Sequence, residues 1–399
     1  MTERLYYRDP TLLEFEGTIT DTGQRDKVWY TVLDRSAFYP TSGGQLHDVG
    51  TLGGNRVIDV KEDGDDDQAV VEHITTERVG EPGDTVAGVV DADRRLDNQQ
   101  KHTAQHIISQ VFADSSGLET VSVHLGIDYG AVELDTDSVE ESLLEQVESR
   151  ANEIIQACYP VHVLFLSPEE AQELPLRKRP PERERLRVIR IGDLDYSACG
   201  GTHCTNTGQV GLIKLIGVET MRGHALVKFL AGRQALDDYT RRWQLTATLA
   251  TTLTCHFEDL PERVSSLQQD ADDCRRQLRQ AQKELLPVKA ERLASESQDM
   301  SGIPVAIARD NDLDPKVATQ LARHAADFNK GVAIILTGGR MLIAAAKESP
   351  KTAGQLARTL CDLTGGRGGG NDTQAQVGQV DIDNEQVLGH LVAKAIDEA

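Results

Sequence analysis

The sequence predicts a multidomain α+β protein. It divides into a small N-terminal β-barrel over residues 1-90, an α+β unit over 91-240, a helical coiled-coil linker over 241-300 and a C-terminal α/β domain over 301-399. Three observations carry this division. A chain of 399 residues is too long for one ordinary core. Short β-branched runs crowd the first 90 positions, and a heptad seam of apolar residues separates the middle of the chain from its last compact stretch.

Composition bounds the function classes. Hydrophobic residues make up 39% of the chain, and no stretch approaches the roughly 18 apolar residues of a membrane span. The N-terminus, Met1 to Tyr7, lacks the apolar run of a signal peptide, so a cytoplasmic location without membrane contact is expected. Six cysteines (Cys158, Cys199, Cys204, Cys255, Cys274 and Cys361) are scattered rather than spaced as a disulfide framework, and are expected reduced. A formal charge of -22 argues against a general nucleic-acid coat but leaves room for a local basic surface. Arginine in excess of lysine, with abundant aspartate, points to a surface solvated at high salt.

In chain order, Glu16–Thr20, Val28–Leu33, Val57–Val60, Ala69–Ile74 and Thr85–Val90 read as strands separated by Gly and Asp turns. The acidic run from Asp63 to Asp67 has calcium-loop composition without the ligand spacing, so it reads as a solvated hairpin tip. Asp91 and Asp93 cap a helix through Leu96, His102, His106, Ile107 and Val111. A strand pair from Val121 to Leu134 follows, then an amphipathic helix through Val139, Leu143, Val147 and Ile154. Pro160 closes that helix, and Val161–Leu166 is a buried strand. The run from Arg177 to Arg187 is the densest positive stretch; it is either a solvated connector or a phosphate contact. Val188–Ile191 delivers the chain to Cys199, and strands at Gln209–Ile216 and Ala225–Leu230 leave it.

From Leu260 through Val264, Leu267, Ala271, Cys274, Leu278, Ala281, Leu285 and Val288, apolar positions alternate steps of four and three. This is a coiled-coil seam for an intrachain hairpin or a dimer rod, with Pro287 expected to kink or end it. Beyond residue 301, strands and helices alternate as in an α/β domain. The stretch Thr364 to Asp372 contains Gly365, Gly366, Arg367, Gly368, Gly369 and Gly370, glycines that permit close approach of a phosphate or another backbone. No Lys-Ser/Thr follows, so it is not a P-loop.

The chemistry lies in two stretches, His102-Thr103-Ala104-Gln105-His106 and Cys199-Gly200-Gly201-Thr202-His203-Cys204. Each places two nitrogen or sulfur ligands four residues apart. Together they offer one thiolate and three imidazoles, a set that suits one zinc ion per chain. Four protein ligands make a closed site, which favours structure; the histidine-rich set, and zinc's capacity to take a fifth ligand, favour chemistry. Position 103 is Thr where a zincin peptidase carries its general-base Glu, so an activated ester fits better than an amide.

These two motifs, with Phe38-Tyr39-Pro40-Thr41-Ser42-Gly43-Gly44-Gln45 upstream and Leu5-Tyr6-Tyr7 at the start, resemble the editing module of alanyl-tRNA synthetase and the free-standing AlaX-type alanyl-tRNA editing proteins. The resemblance continues past the coiled coil, where Gly365 to Gly370 with Asp372, Gln376 and Gly378 is similar to the glycine-rich motif of the synthetase's C-terminal domain. The aminoacylation core is absent, which implies the long free-standing form. The resemblance implies an editing domain over 91-240 that hydrolyses tRNA-Ala mischarged with serine or glycine, and a C-terminal domain for tRNA binding or oligomerisation. Such a second site is needed because a pocket rejects a missing methyl by only about 1–3 kcal/mol and an added hydroxyl poorly.

Carried over by motif, His102, His106, Cys199 and His203 hold zinc, and Gln45 with Gly43, Gly44, Gly200, Gly201 and Thr202 lines the pocket. Gln45, Ser36 and Thr41 are the candidate catalytic residues. The two hydroxyls are candidates for sensing serine, or are turn residues bonding their own backbone. Gly366, Arg367, Gly368 and Gly369 are the implied tRNA contacts, and the partners are tRNA-Ala and a second copy joined through the coiled coil or C-terminal domain. Two departures stand out: Ser36 where relatives carry Thr, and Cys204 where a small apolar residue is usual, read here as a buried thiol. Two other classes compete with this reading. One is a tRNA-binding protein with a purely structural zinc; the other, a phosphoesterase, lacks an Asp-His-His metal motif.

Overall fold

The computed structural model describes residues 1–64, 69–178, 184–382 and 385–399. Part of the acidic run, residues 65–67, and the centre of the basic run, residues 179–183, lie outside the described residues. The architecture is multidomain α+β, and the chain forms two compact units, Met1–Leu249 and Ala250–Ala399. Among the described residues no helix is long and apolar enough to cross a membrane.

Six strands near the start of the first unit build a barrel: β1 (Glu14–Arg25), β2 (Val28–Leu33), β3 (Gly50–Leu52), β4 (Asn55–Asp63), β5 (Val70–Thr75) and β6 (Thr85–Val90). They close into a barrel in the order β1-β2-β5-β4-β3-β6. Closure leaves no free sheet edge, and alternate side chains point inward. Phe15, Ile19, Leu33, Leu52, Val57, Val60 and Val71 fill the interior.

Helix α1 (Ala92–Ser116) follows. The Asp91 side chain accepts from the Arg94 amide at its start, and Gly117 closes it in the left-handed conformation. It packs with α2 (Glu141–Gln156) and the sheet formed by β7 (Thr120–Leu125), β8 (Gly130–Leu134), β12 (Ile213–Met221) and β13 (His224–Ala231), in the order β12-β13-β8-β7. Ile107, Ile108, Val111 and Phe112 meet Val147, Ile154, Val132, Leu134, Val227 and Phe229 in one core. Each fully buried side chain of this kind contributes about 1.5–3 kcal/mol.

A third sheet, β9 (Val161–Leu166), β10 (Leu186–Ile191) and β11 (Asp195–Ala198), carries the chain to Cys199. The expected buried strand at Val161–Leu166 is half-buried instead, because β9 lies at the sheet edge and leaves His162 and Phe165 exposed. Between them the short α3 (Pro168–Gln172) starts with a capping box from Ser167 and Glu170. Helix α4 (Gly232–Leu253) follows, and its Leu236, Tyr239 and Trp243 are exposed.

The second unit opens with α5 (Leu260–Ser295), which runs on through Pro287 rather than ending there. Val264, Leu267, Leu278, Leu285 and Val288 of the heptad seam are exposed. The buried stripe near the helix end is a different one: Leu286, Ala290, Leu293 and Ala294, with the first three packed on Ala318, Leu321, Ala322 and Ala325 of α6 (Pro315–Asn329). Heptad spacing reveals a continuous apolar stripe; it does not say which stripe a sheet-packed helix takes as its contact face.

The sheet of this unit runs β14-β15-β16-β17-β19-β18, from β14 (Gln298–Met300), β15 (Ile303–Arg309), β16 (Val332–Thr337), β17 (Arg340–Ala345), β18 (Arg367–Gly370) and β19 (Gln374–Gly378). Only β15 and β16, joined through α6, are parallel. The expected α/β pattern is thus a mixed, mainly antiparallel sheet. The physical reason is the Gly338-Gly339 turn, with both residues at positive φ, which folds β16 and β17 into a hairpin. Alternate residues serve two faces: Val332, Ile334 and Leu336 pack toward α7 (Ala353–Thr364) and α8 (Glu385–Glu398), while Ala333 and Ile335 pack toward α5 and α6.

Candidate metal centre

Helix α1 places His102 and His106 one turn apart, and the loop after β11 brings Cys199 and His203 to meet them. The four donor atoms lie within 4.8 Å of one another. Cys199 Sγ is 3.3 Å from His102 Nε2 and 3.4 Å from His203 Nε2. Gly201 is what allows the loop this close: a Cβ there would stand 2.1 Å from His102 Cε1.

Each imidazole has its second nitrogen held by the protein. His102 Nδ1 is 2.7 Å from Gln45 Oε1, His106 Nδ1 is 2.7 Å from Asp195 Oδ2, and His203 Nδ1 is 3.3 Å from Thr103 Oγ1. With Nδ1–H donating in each case, all three Nε2 lone pairs are left for a metal. Burial, reinforced by Arg187 and Arg177, lowers His102 to about 3. Burial and the two neighbouring histidines hold His203 well below its ordinary value, so both rings are neutral, the ligating form. Burial alone would raise the Cys199 thiol, but His106, the Gly201 amide and Arg187 outweigh it and hold the thiol below its usual range. One thiolate-prone cysteine and three oriented imidazoles fit zinc.

The turn Ser42 to Gln45 docks on the edge of β7, where the Leu125 amide donates to the Gly44 carbonyl over 3.0 Å. Gly44 has φ +84°, and a Cβ on it would stand 2.9 Å from the Val123 carbonyl. Gln45 is fully buried. Its Oε1 accepts from the Thr202 amide at 3.1 Å as well as from His102, and its Nε2 donates to Thr202 Oγ1 at 2.9 Å. It braces helix, turn and loop together and does not line the cavity. Behind it, Arg95 clamps Asp48 in a buried pair at 2.6 Å and donates to the carbonyls of Ala37 and Pro10; Asp48 also accepts the Tyr39 amide. Arg187 fixes the other loop by donating to the Cys199 carbonyl at 2.6 Å.

A cavity of about 360 Å³ opens on the cluster, lined by Gly43, His102, Gln105, His106, Thr120 and Gly200, by apolar Val121 and Val123, and by Arg177 and Lys178. Of the five expected pocket glycines and threonine, Gly43 and Gly200 line it, while Gly44, Gly201 and Thr202 stand behind as supports. Ser36 is elsewhere, fully buried, 2.7 Å from His73 Nε2 and accepting the Phe38 amide. Thr41 is exposed and accepts the His47 amide, the bond of a turn residue. Neither hydroxyl is brought to the cavity. Cys204 sits in the hydrophobic core, where burial pushes its thiol up to about 12. Gly366, Arg367, Gly368 and Gly369 belong to the second unit, the last three in the exposed edge strand β18; a Cβ on Gly368 would meet the Gln376 carbonyl at 1.9 Å.

Asp195, Thr103 and Gln105 were missed from sequence. Thr103, noted only as the missing glutamate, is fully buried and also accepts the Cys204 amide at 3.1 Å. Asp195, four positions before Cys199 in a strand, carries no spacing signal of its own. Contacts with His106 and Arg177 overcome burial and hold its carboxyl below the usual range.

The family model for the threonyl and alanyl tRNA synthetase second additional domain matches residues 186–225. Across 96% of its length the chain is 30% identical to an alanine–tRNA ligase of Methanoregula boonei, of which it covers 42%, so it spans about two fifths of such relatives. It is 29% identical to the alanyl-tRNA editing protein AlaX-L of Pyrococcus horikoshii over 99% of this chain and 98% of that one. The solved C-Ala domain of Aquifex aeolicus alanyl-tRNA synthetase aligns with 25% of this chain and 96% of that one at 19% identity and a TM-score of 0.23. The chain is therefore a relative, along nearly its whole length, of the AlaX-type alanyl-tRNA editing proteins in their long form.

Proposed function

We propose that this protein is a trans-editing hydrolase that removes serine, and glycine, from mischarged tRNA-Ala with the help of one zinc ion per chain. The observation that carries the proposal is the convergence of His102, His106, Cys199 and His203 into one cluster, with the first three opening on a cavity of mixed polar and apolar lining. Zinc held by these four supplies Lewis-acid character for ester hydrolysis. The protein's own groups do the rest. Gln45, Asp195 and Thr103 fix the three imidazoles, Arg95 and Asp48 hold the Gly-Gly-Gln turn, and Gly43 and Gly200 leave room for an aminoacyl end beside the donors. Arg177 and Lys178 place positive charge in the cavity lining, where a terminal phosphate would approach an otherwise acidic chain.

On this proposal the division into barrel (1-90), editing domain (91-240), helical linker (241-300) and C-terminal domain (301-399) stands. The Gly366 to Gly369 segment meets tRNA, a second copy joins through the exposed seam of α5 or the C-terminal domain, and the reaction belongs to the cytoplasm. The closed set of four protein donors favours a second reading, a tRNA-binding protein whose zinc is structural. Purified protein assayed against Ser-, Gly- and Ala-tRNA-Ala, with zinc quantified, separates the two. Deacylation of the mischarged species, lost together with zinc in Cys199→Ala, supports the hydrolase; intact zinc with no turnover on any of the three supports the binder.

A further inference from the structure

The hydroxyls expected to sense serine are not at the cavity, yet the cavity has a buried polar wall of its own. Gln105, on the same face of α1 as His102, lines it and is only 4% exposed. Its Nε2 donates to Ser109 Oγ at 2.9 Å, and Thr120 Oγ1 donates to the same Ser109 oxygen at 2.7 Å. Ser109 is 1% and Thr120 7% exposed, so the amide nitrogen is held by a buried hydroxyl that a second residue of the cavity wall fixes in turn. The Gln105 side chain is more than nine-tenths buried, and its Oε1, with no protein partner among the described residues, is not sealed off but accessible in the cavity that the residue lines. An acceptor that is accessible in the cavity, on a side chain whose amide nitrogen is already engaged, is available to a ligand donor.

We propose that Gln105, held by Ser109 and Thr120, forms a side-chain subsite that takes a β-hydroxyl: the serine hydroxyl of the substrate donates to Gln105 Oε1. This rests on the reading of the protein as an aminoacyl-tRNA deacylase and adds the residue that tells serine from residues without a hydroxyl. Alanine leaves Oε1 unpaired, and a site with an unpaired buried polar group discriminates far more strongly than one lined by apolar atoms. Ser109 and Thr120 are positioning residues; Gln105 is the contact.

The test uses the full-length zinc-loaded protein and two variants, Gln105→Met, which keeps the bulk and removes the amide, and Ser109→Ala, which releases it. Two ratios are read: kcat/KM for Ser-tRNA-Ala over Gly-tRNA-Ala, and the affinity for 3′-serylamino-adenosine over its glycyl counterpart, both non-hydrolysable amides. Zinc content is measured alongside. Loss of one hydrogen bond to a buried group predicts that Gln105→Met lowers both ratios about 10- to 100-fold with zinc retained, and that Ser109→Ala lowers them less. Unchanged ratios with zinc retained overturn the subsite, whether or not overall rates fall. If the wild type hydrolyses neither tRNA, the deacylase reading fails, and the binding ratio still decides whether Gln105 reads the hydroxyl.

Discussion

Asp195→Asn removes one negative charge from behind the metal ligands and almost nothing else. The Asp195 carboxylate stands 2.7 Å from His106 Nδ1 and accepts from Ser197 Oγ at 2.8 Å, with Arg177 3.6 Å away. Asparagine keeps the shape but gives up the charge that makes His106 a stronger donor to a cation and fixes its tautomer. Losing such a partner typically weakens metal binding by about 10- to 100-fold. That corresponds to about 1.4–2.7 kcal/mol, which also appears as a smaller zinc-dependent gain in folding stability at fixed zinc. Zinc affinity by competition with a chromophoric chelator measures it directly, and denaturant unfolding with and without zinc measures it through linkage. Comparing only the zinc-dependent increment removes any effect of the lost Arg177 contact on the metal-free fold. A zinc affinity within twofold of wild type, with an unchanged increment, would refute the role assigned to Asp195.

Other consequences follow from the same geometry. Gly201→Ala drives a methyl to 2.1 Å from His102 and should abolish stoichiometric zinc binding, whereas Gly43→Ala, with open space around it and φ +55°, should retain it; metal analysis of the two purified variants decides. Arg95→Met strands the fully buried Asp48 carboxylate and should destabilise the protein by about 3–5 kcal/mol in denaturant unfolding. His73 is held neutral in the barrel, its value lowered to about 4 by burial. The unfolded chain therefore binds the extra proton between about pH 6.5 and 4, and the stability His73 contributes is complete above that window and lost as pH falls through it, by about 3 kcal/mol in all. In metal-free protein, His73→Gln should flatten the fall in stability between pH 7 and pH 4.5.

The four donors were legible in the sequence because each pair is local: a step of four is one helical turn in α1, and two glycines let the 199–203 loop turn back on itself. Their supports were not. Gln45, Asp195 and Thr103 reach their histidines only through tertiary contacts, and no local pattern distinguishes Asp195 from the other aspartates of an acidic chain. Proximity in sequence misled as well: Ser36 and Thr41 flank the Gly-Gly-Gln turn, yet one faces His73 in the barrel core and the other faces solvent. Gln45 was placed at the right spot with the wrong neighbour, touching the ligands and not the cavity. In the second unit, alternation of strands and helices was readable. Strand direction depended on one Gly-Gly turn, and the contact face of α5 depended on packing against α6.

The central claim is that the cluster of His102, His106, Cys199 and His203 works as a reactive zinc site on aminoacyl-tRNA. Stepwise return of zinc to chelated protein, followed by single-turnover deacylation of Ser-tRNA-Ala, tests it most directly. The account predicts no activity without metal and a linear rise that stops at one zinc per chain. Full deacylation by the metal-free protein would contradict it.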